Sequence, residues 1–190
     1  MKKNTLTFVT KNKEKIADIK TMLGKSFQLE FDATLELLEI QTLSVEEVVA
    51  FKAIQAYKQL KRPVVVSDSG LEIVALRNFP GALVKFVNET IGQKGLVKLL
   101  EGEEDRRAFF VAAIAFCAEE CSPHIFVEKD EGTIAEKPRG EGWHFDRIFI
   151  PKGEKRTWAE MGREKKNTRS AFRRALDRLT AFLQEQYTAP

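Results

Sequence analysis

The stretch that decides the fold is Pro63-Val64-Val65-Val66-Ser67-Asp68-Ser69-Gly70. Its β-branched valines follow one another without polar alternation, which is typical of a strand that is buried on both faces. We predict that this strand ends where the polar residues begin, so that Asp68 lies at the mouth of the sheet. Catalytic and metal-binding carboxylates are commonly found there. The alternative is that Ser67 to Gly70 turn the chain into a hairpin with Leu71 to Leu76.

The residues before this strand alternate between short strands and amphipathic helices. Apolar residues spaced by three and four predict a helix that begins at Asn12 and ends at Gly24. Ser44-x-x-Glu47 predicts a capping box at the start of a second helix. The two predicted strands of this region are Leu6 to Thr10 and Phe27 to Phe31. Strand, helix, strand, helix and buried strand in succession indicate an α/β architecture with parallel pairing.

The second half of the chain begins with a β-rich segment. Arg107 to Ala118 and His124 to Val127 are predicted to form a hairpin, and Ile148 to Ile150 a further strand. One long helix is predicted from Arg163 to Gln186. We therefore predict a mixed twisted sheet with flanking helices, in which residues 1–190 form one domain of two lobes around a central cleft.

Composition limits the class of protein. The 190 residues are 43% hydrophobic and 31% charged, which is typical of a globular chain, and a net charge of +3 does not demand nucleic acid as a partner. Cys117 and Cys121 are too few for a secreted disulfide scaffold and predict reduced thiols. The basic Met1 to Lys3 precede an apolar run too short for a signal peptide or a membrane span. We expect a cytoplasmic protein that binds no membrane.

Polar residues directly after the first strand are candidates for binding phosphate. Thr10-Lys11-Asn12-Lys13-Glu14-Lys15 places a hydroxyl, an amide and cations at a helix N-terminus, where free backbone N–H groups attract phosphate oxygens. In the alternative, Asn12 only caps the helix and the lysines are solvated.

Carboxylates before the second helix are candidates for holding a metal. If Glu39, Glu46 or Glu47 lies near Asp68, the carboxylates would suit Mg²⁺, which takes one or two carboxylates together with substrate phosphates. For Glu47 the alternative is that it only caps the second helix, and this alternative is strong because the predicted capping box already includes Glu47.

An aromatic segment and a basic helix complete the candidate site. In Gly142-Trp143-His144-Phe145-Asp146 the aromatics could clamp a nucleobase, or one or both could belong to the core. His144 is a candidate acid or base, although a lone histidine is more often a surface residue. The cations of the last helix either form its solvated face or face a polyphosphate; they are Lys165, Lys166, Arg169, Arg173 and Arg174.

The order of these motifs resembles the inosine triphosphate pyrophosphatase family, the Ham1-type hydrolases of deaminated purine nucleoside triphosphates. The similarity covers essentially the whole chain. The family motif T-G-N-x-x-K is matched by Thr10-Lys11-Asn12-x-x-Lys15, and D-D-S-G-L by Ser67-Asp68-Ser69-Gly70-Leu71. The remaining matches are Glu39, Lys52, Pro80-Gly81, Asp105-Arg106-Arg107-Ala108, Trp143-His144-Phe145-Asp146-Arg147-Ile148-Phe149 for F-G-Y-D-P-I-F, Ala159-Glu160-Met161, and Lys165-Lys166-Asn167-x-x-Ser170-Ala171-Phe172 for E-K-N-x-x-S-H-R.

The resemblance implies hydrolysis of a nucleoside triphosphate to the monophosphate and pyrophosphate with Mg²⁺, by a protein that forms a homodimer. It implies that Asp68 is the general base or a metal-associated carboxylate and that Glu39 is a metal ligand. The phosphate-binding residues that it implies are Thr10, Asn12, Lys15 and the catalytic Lys52. The other substrate-binding residues that it implies are Ser69, Trp143, Phe145, Asp146, Lys166 and Ser170.

The departures from the family pattern concern mainly the base. The His-Arg pair that reads the 6-oxo edge of the purine is Ala171-Phe172 here, and neither side chain can donate a hydrogen bond. Lys11 and His144 replace glycines, and Ser67 replaces an acid. We therefore expect altered base recognition, with Arg169, Arg173 or His144 as possible replacements. The alternatives are a weakly active or inactive nucleotide sensor of the same fold and, less favoured, nucleic-acid binding by the basic helix.

Overall fold

The computed structural model describes residues 5–23, 27–119 and 122–187. The predicted helix end at Gly24, the second cysteine Cys121 and the basic start Met1 to Lys3 lie outside these residues. The strands are β1 (Thr5–Val9), β2 (Gln28–Asp32), β3 (Val64–Ile73), β4 (Pro80–Gly81), β5 (Arg107–Cys117), β6 (His124–Ile134) and β7 (Phe149–Pro151). The helices are α1 (Lys13–Leu23), α2 (Val45–Leu60), α3 (Val84–Glu89), α4 (Gly92–Lys98), α5 (Trp158–Met161), α6 (Arg163–Arg169) and α7 (Ala171–Tyr187).

One mixed sheet organises these elements. Its strand order is β2-β1-β3-β5-β6-β7, and β4 pairs with β3 away from this path. β1 is parallel to both β2 and β3, whereas β3, β5, β6 and β7 are joined by antiparallel pairs. The prediction of an α/β fold with a mixed sheet is confirmed.

The central strand β3 is longer than predicted. It continues through Asp68 to Ile73, so both the predicted end at Val66 and the alternative hairpin turn are wrong. The reason is the antiparallel partner β5, which pairs with every residue of β3 from Val64 to Ile73 and so satisfies the backbone of the polar stretch. The parallel pairing between β1 and β3, by contrast, ends at Phe8 and Val65. Asp68 therefore still lies beyond the carboxyl end of a parallel strand.

Helices cover both faces of the central strands. The alternation of side chains along β3 sends Val64 and Val66 into a core shared with α2, and Val65 into a core shared with α7. The α7 side of the core contains Leu176, Leu179 and Leu183. All three valines are at most 1% exposed, so the prediction of a strand buried on both faces is confirmed.

The sequence predicted one continuous last helix, but the structure has two, which are separated at Ser170. This residue has an extended backbone with φ −63° and ψ 159° and separates α6 from α7. Its hydroxyl accepts a hydrogen bond from the backbone N–H of Arg173, and the Asp130 carboxylate accepts one from the N–H of Ala171. Because these acceptors satisfy the free N–H groups of a helix start, they stabilise a new helix at Ala171.

The capping box predicted for α2 is half formed. The Ser44 hydroxyl accepts from the backbone N–H of Glu47, but the Glu47 carboxylate accepts from the Thr42 hydroxyl and not from the backbone of Ser44. Among the helices in the described ranges, none combines the length and the apolar character needed to cross a bilayer.

Candidate active site

A cleft of about 850 Å³ opens beyond the end of β1. Its walls come from the segment after β1, from residues 35–42, from one face of α2, from the polar part of β3, from α3 and from residues 143–145. Ten of the sequence-predicted site residues line it: Thr10, Asn12, Lys15, Glu39, Lys52, Asp68, Ser69, Trp143, His144 and Phe145.

The segment after β1 is held in shape by its own side chains. The Asn12 Oδ1 accepts from the backbone N–H groups of Glu14 (2.9 Å) and Lys15 (3.1 Å), and the Thr10 hydroxyl accepts from the N–H of Asn12. Asn12 therefore caps α1, as one of the two interpretations predicted, and it does so while lining the cleft. Capping leaves its side-chain amide N–H groups available to donate to a ligand.

Lysine and carboxylate side chains meet at the centre of the cleft. The Lys52 Nζ, on α2, lies 2.8 Å from the Glu39 Oε1 and 3.3 Å from the Asp68 Oδ2. The other oxygen of Asp68 accepts from the backbone N–H of Ser69 at 2.8 Å. The Lys15 Nζ donates to the carbonyl oxygen of Ser67, next to Asp68, at 3.3 Å. Residues 12, 15, 39 and 68 thus all border the same cleft.

The pKa values of Lys15 and Lys52 are shifted in opposite directions. Burial lowers the pKa of the Lys15 ammonium, against the opposing effect of Asp68, and the charge of Lys52 lowers it further. Burial also acts to lower the pKa of Lys52, but the Asp68 and Glu39 carboxylates outweigh burial and raise it above the ordinary value. Lys52 is thus the more firmly charged of the two.

The carboxylate pair is suited to a hard cation. Glu39 and Asp68 share one ammonium partner, so both can turn oxygens toward the same point in the cleft. Over the described ranges there is no group of three or more His, Cys, Asp or Glu residues that could hold a metal. Two carboxylates with water and substrate phosphates match the way Mg²⁺ is usually bound. Glu46 and Glu47 do not line the cleft.

The aromatic end of the cleft is formed by residues 143–145. Trp143 is half-buried, whereas Phe145 is 4% exposed and packs into the core with Leu71 and Phe149. Phe145 thus follows the core interpretation, although one side of it still borders the cleft. His144 lies between them in the left-handed region, with φ 35°.

Asp146 and Lys166 form a pair behind this wall. Both oxygens of Asp146 accept from the Lys166 Nζ at 2.7 Å, and the same ammonium lies 4.9 Å from the centre of the Phe110 ring. Burial raises the pKa of the Asp146 carboxyl, although Lys166 opposes the shift. Phe110 lines the cleft, whereas Asp146, Lys166 and Ser170 do not.

Two further parts of the cleft were not predicted by any sequence pattern. The first is α3, which contributes the exposed ring of Phe86 together with Asn88 and Glu89. A helix of only six residues has too short a periodic pattern to be recognised. The second is an ion pair of 3.3 Å between Lys11 and Glu36, which are 25 residues apart and both line the cleft.

Known proteins are similar to this chain, in sequence and in structure, over nearly its whole length. The model of the Ham1 family matches residues 6–182. A dITP/XTP pyrophosphatase of Hyperthermus butylicus is 41% identical over 191 residues, which cover 100% of each chain, and one of Saccharolobus solfataricus is 43% identical, over 95% of this chain and 93% of the relative. The structure of the Staphylococcus aureus Ham1 protein superposes with a TM-score of 0.85 and 27% identity, covering 96% of this chain and 100% of that one.

Proposed function

The chain belongs to the Ham1 family, and on that premise we propose that it hydrolyses deaminated purine nucleoside triphosphates, such as dITP and XTP, to the monophosphate and pyrophosphate. The observation that carries the proposal is the contact of Lys52 with both Glu39 and Asp68, beside Lys15, inside a cleft large enough for a nucleotide. Relatives named dITP/XTP pyrophosphatase at about 40% identity supply the substrate class.

In this proposal the phosphates lie between the segment after β1 and the central lysines. A triphosphate carries about four negative charges, which must be neutralised before water can approach phosphorus. Lys15 and Lys52 provide the cations, and the hydroxyl of Thr10 and the amide of Asn12 provide neutral donors. Ser69 stands next to Asp68 on β3 and borders the same space.

Glu39 and Asp68 are the residues that would hold Mg²⁺. When bound, the ion would neutralise phosphate oxygens and draw electron density from the phosphorus. Asp68 also accepts a proton from the attacking water, because its carboxylate lies in the cleft and keeps its orientation through the N–H of Ser69. The Lys52 ammonium orients both carboxylates through its contacts with them, and the same ammonium faces the bound phosphates.

The nucleobase lies at the aromatic end in this proposal. Trp143 offers a ring face for stacking, and Phe145 forms the floor against the core. Asp146 and Lys166 support this wall through their mutual ion pair, and Ser170 supports α6, which carries Lys166, by starting the next helix. The homodimer, the two-lobed domain and the cytoplasmic location stay predictions.

Pyrophosphate release from a panel of nucleotides tests the function. We expect turnover of dITP and XTP with Mg²⁺, loss of turnover with a chelator, and a fall of about 10²–10⁴-fold in kcat for Asp68→Asn, the usual range for removal of a general base. Asp177→Asn, an exposed carboxylate on α7 outside the cleft, serves as the control and retains full activity. Tight nucleotide binding without turnover would contradict the hydrolase and favour the sensor.

A further inference from the structure

The positions that read the purine edge in the family motif do not face the cleft in this protein. Ala171 is fully buried and Phe172 packs against the core beneath α7. Arg169 pairs with Glu154 and lies over the Trp158 ring, and Arg173 pairs with Asp177. None of these four residues lines the cleft, so neither arginine is placed to replace the lost donors.

His144 is placed differently from these arginines. It lines the cleft between Trp143 and Phe145, with its ring 4.5 Å from the Trp143 ring, centre to centre. The imidazole has no hydrogen bond to any other residue that the structure describes. A polar side chain that faces the cleft without a partner is available to a ligand.

The backbone of His144 adds a second observation. Its φ of 35° belongs to the left-handed region, which glycine adopts without strain and which a side chain rarely adopts. The family motif has glycine at this position, so histidine accepts a conformational cost that glycine would avoid. Strained residues of this kind cluster where a side chain serves binding or catalysis.

The charge state of the His144 imidazole suits contact with an uncharged part of a ligand. Burial lowers the pKa of His144, although the negative charges of Asp146, Glu14 and Glu89 oppose the shift. At neutral pH the ring is therefore uncharged, with one N–H donor and one acceptor nitrogen. A neutral donor matches a base carbonyl better than it matches a phosphate.

We propose that His144 is a specificity-determining residue that donates a hydrogen bond to the 6-oxo edge of the bound nucleobase. This inference rests on the proposed function, because it assigns the base contact of the same cleft. It makes the aromatic segment, rather than the start of α7, the part of this chain that distinguishes a 6-oxo purine from a 6-amino purine.

The test compares the wild type with His144→Gly and His144→Asn. Glycine removes the imidazole and relieves the backbone, so the variant folds; asparagine tolerates a positive φ and keeps a donor. Asn78→Gly, at an exposed position with φ 67° outside the cleft, is the matched control. The measurements are kcat/KM for dITP and dATP, and inhibition by inorganic tripolyphosphate, which has no base.

For His144→Gly we expect the ratio of kcat/KM for dITP to that for dATP to fall about ten-fold, as for the net contribution of one hydrogen bond to the base. His144→Asn should keep part of the ratio, and tripolyphosphate inhibition should stay within about two-fold. An unchanged ratio, or weakening of tripolyphosphate and nucleotide together, overturns the proposal. If the wild type hydrolyses neither nucleotide, the proposed function fails. The role of His144 is then tested by calorimetry, with the ratio of the dissociation constants for dITP and dATP in place of the ratio of kcat/KM, and with the dissociation constant for tripolyphosphate in place of its inhibition.

Discussion

Single side chains in the cleft have more than one task. Asn12 caps α1 with its amide oxygen and offers its amide N–H groups to the cleft. Lys52 neutralises two carboxylates and is itself kept charged by them. Such residues couple the local fold to the site, so a substitution that removes the ligand contact also disturbs the structure that presents it.

The pKa of Lys15 gives a prediction at this scale. Burial lowers that pKa, so the ammonium loses its proton at a lower pH than an ordinary lysine. The kcat/KM of the wild type should therefore begin to fall, on the alkaline side, below the ordinary lysine range, since this parameter reports the free enzyme. Lys15→Arg keeps its charge throughout and should move this limb to higher pH.

The measurement is a pH profile of kcat/KM for dITP. Lys13→Arg, which changes an exposed lysine on the same helix, is the control and should leave the profile unchanged. An alkaline limb at the same pH in the wild type and in Lys15→Arg would show that Lys15 does not limit phosphate binding.

At the scale of elements, the close approach of neighbouring elements requires a glycine at position 70, two residues after Asp68. A Cβ on Gly70 would lie 2.6 Å from the carbonyl oxygen of Gly81 in β4 and 2.5 Å from the Val45 Cγ2 at the start of α2. The residue therefore lets β4 and α2 both approach β3. Since α2 carries Lys52 and β3 carries Asp68, this packing sets the spacing between the two.

Gly70→Ala is accordingly expected to destabilise the fold and reduce turnover together. Overpacking against fixed backbone costs about 1–3 kcal/mol in free energy of unfolding. Gly102→Ala is the comparison, because Gly102 has φ 81° but open space for a Cβ; it should lose some stability and no activity. Urea denaturation and dITP turnover measure the two effects. A Gly70→Ala protein with wild-type stability and turnover would contradict the packing argument.

The elements also show what the sequence could and could not predict. Local patterns were sufficient for β1, for the start of α1 and for the parallel pairing of the first strands. They failed for the length of β3, because β5 satisfies its polar half from about 40 residues away. They failed for the break at Ser170, because one of the two acceptors that start α7 is Asp130 on β6. Both errors arise from hydrogen-bond partners that no local pattern contains.

For the site, motif order predicted which residues meet, and tertiary structure decided how they meet. The grouping of Glu39, Lys52 and Asp68 followed from the family motif, but the position of the lysine between the two acids did not. No motif indicated that Arg169 and Arg173 pair with carboxylates outside the cleft whereas His144 lines it.

At the scale of the whole molecule, the two ends of the cleft are joined by a clamp between α1 and α6. The Arg163 Nε donates to the Asp18 Oδ1 at 2.8 Å, and a second guanidinium nitrogen donates to the carbonyl oxygen of Glu14 at 2.7 Å. Asn167 donates to the same oxygen of Asp18 at 2.6 Å. Since α1 begins at the phosphate end and α6 carries Lys166 at the base end, the contacts of Asp18 and Glu14 with α6 couple the two ends.

Removing this carboxylate should therefore weaken nucleotide binding without unfolding the protein. In Asp18→Ala, Arg163 and Asn167 lose their shared acceptor, but Arg163 keeps its contacts with Glu14, so we expect a loss of about 1–2 kcal/mol in stability. Displacement of a binding group by a fraction of an ångström has a larger effect on function, so we expect kcat/KM for dITP to fall about ten-fold, mainly through KM. Glu164→Ala, an exposed carboxylate on α6, is the control. Equal kinetics for the two variants would show that the ends of the cleft are positioned independently.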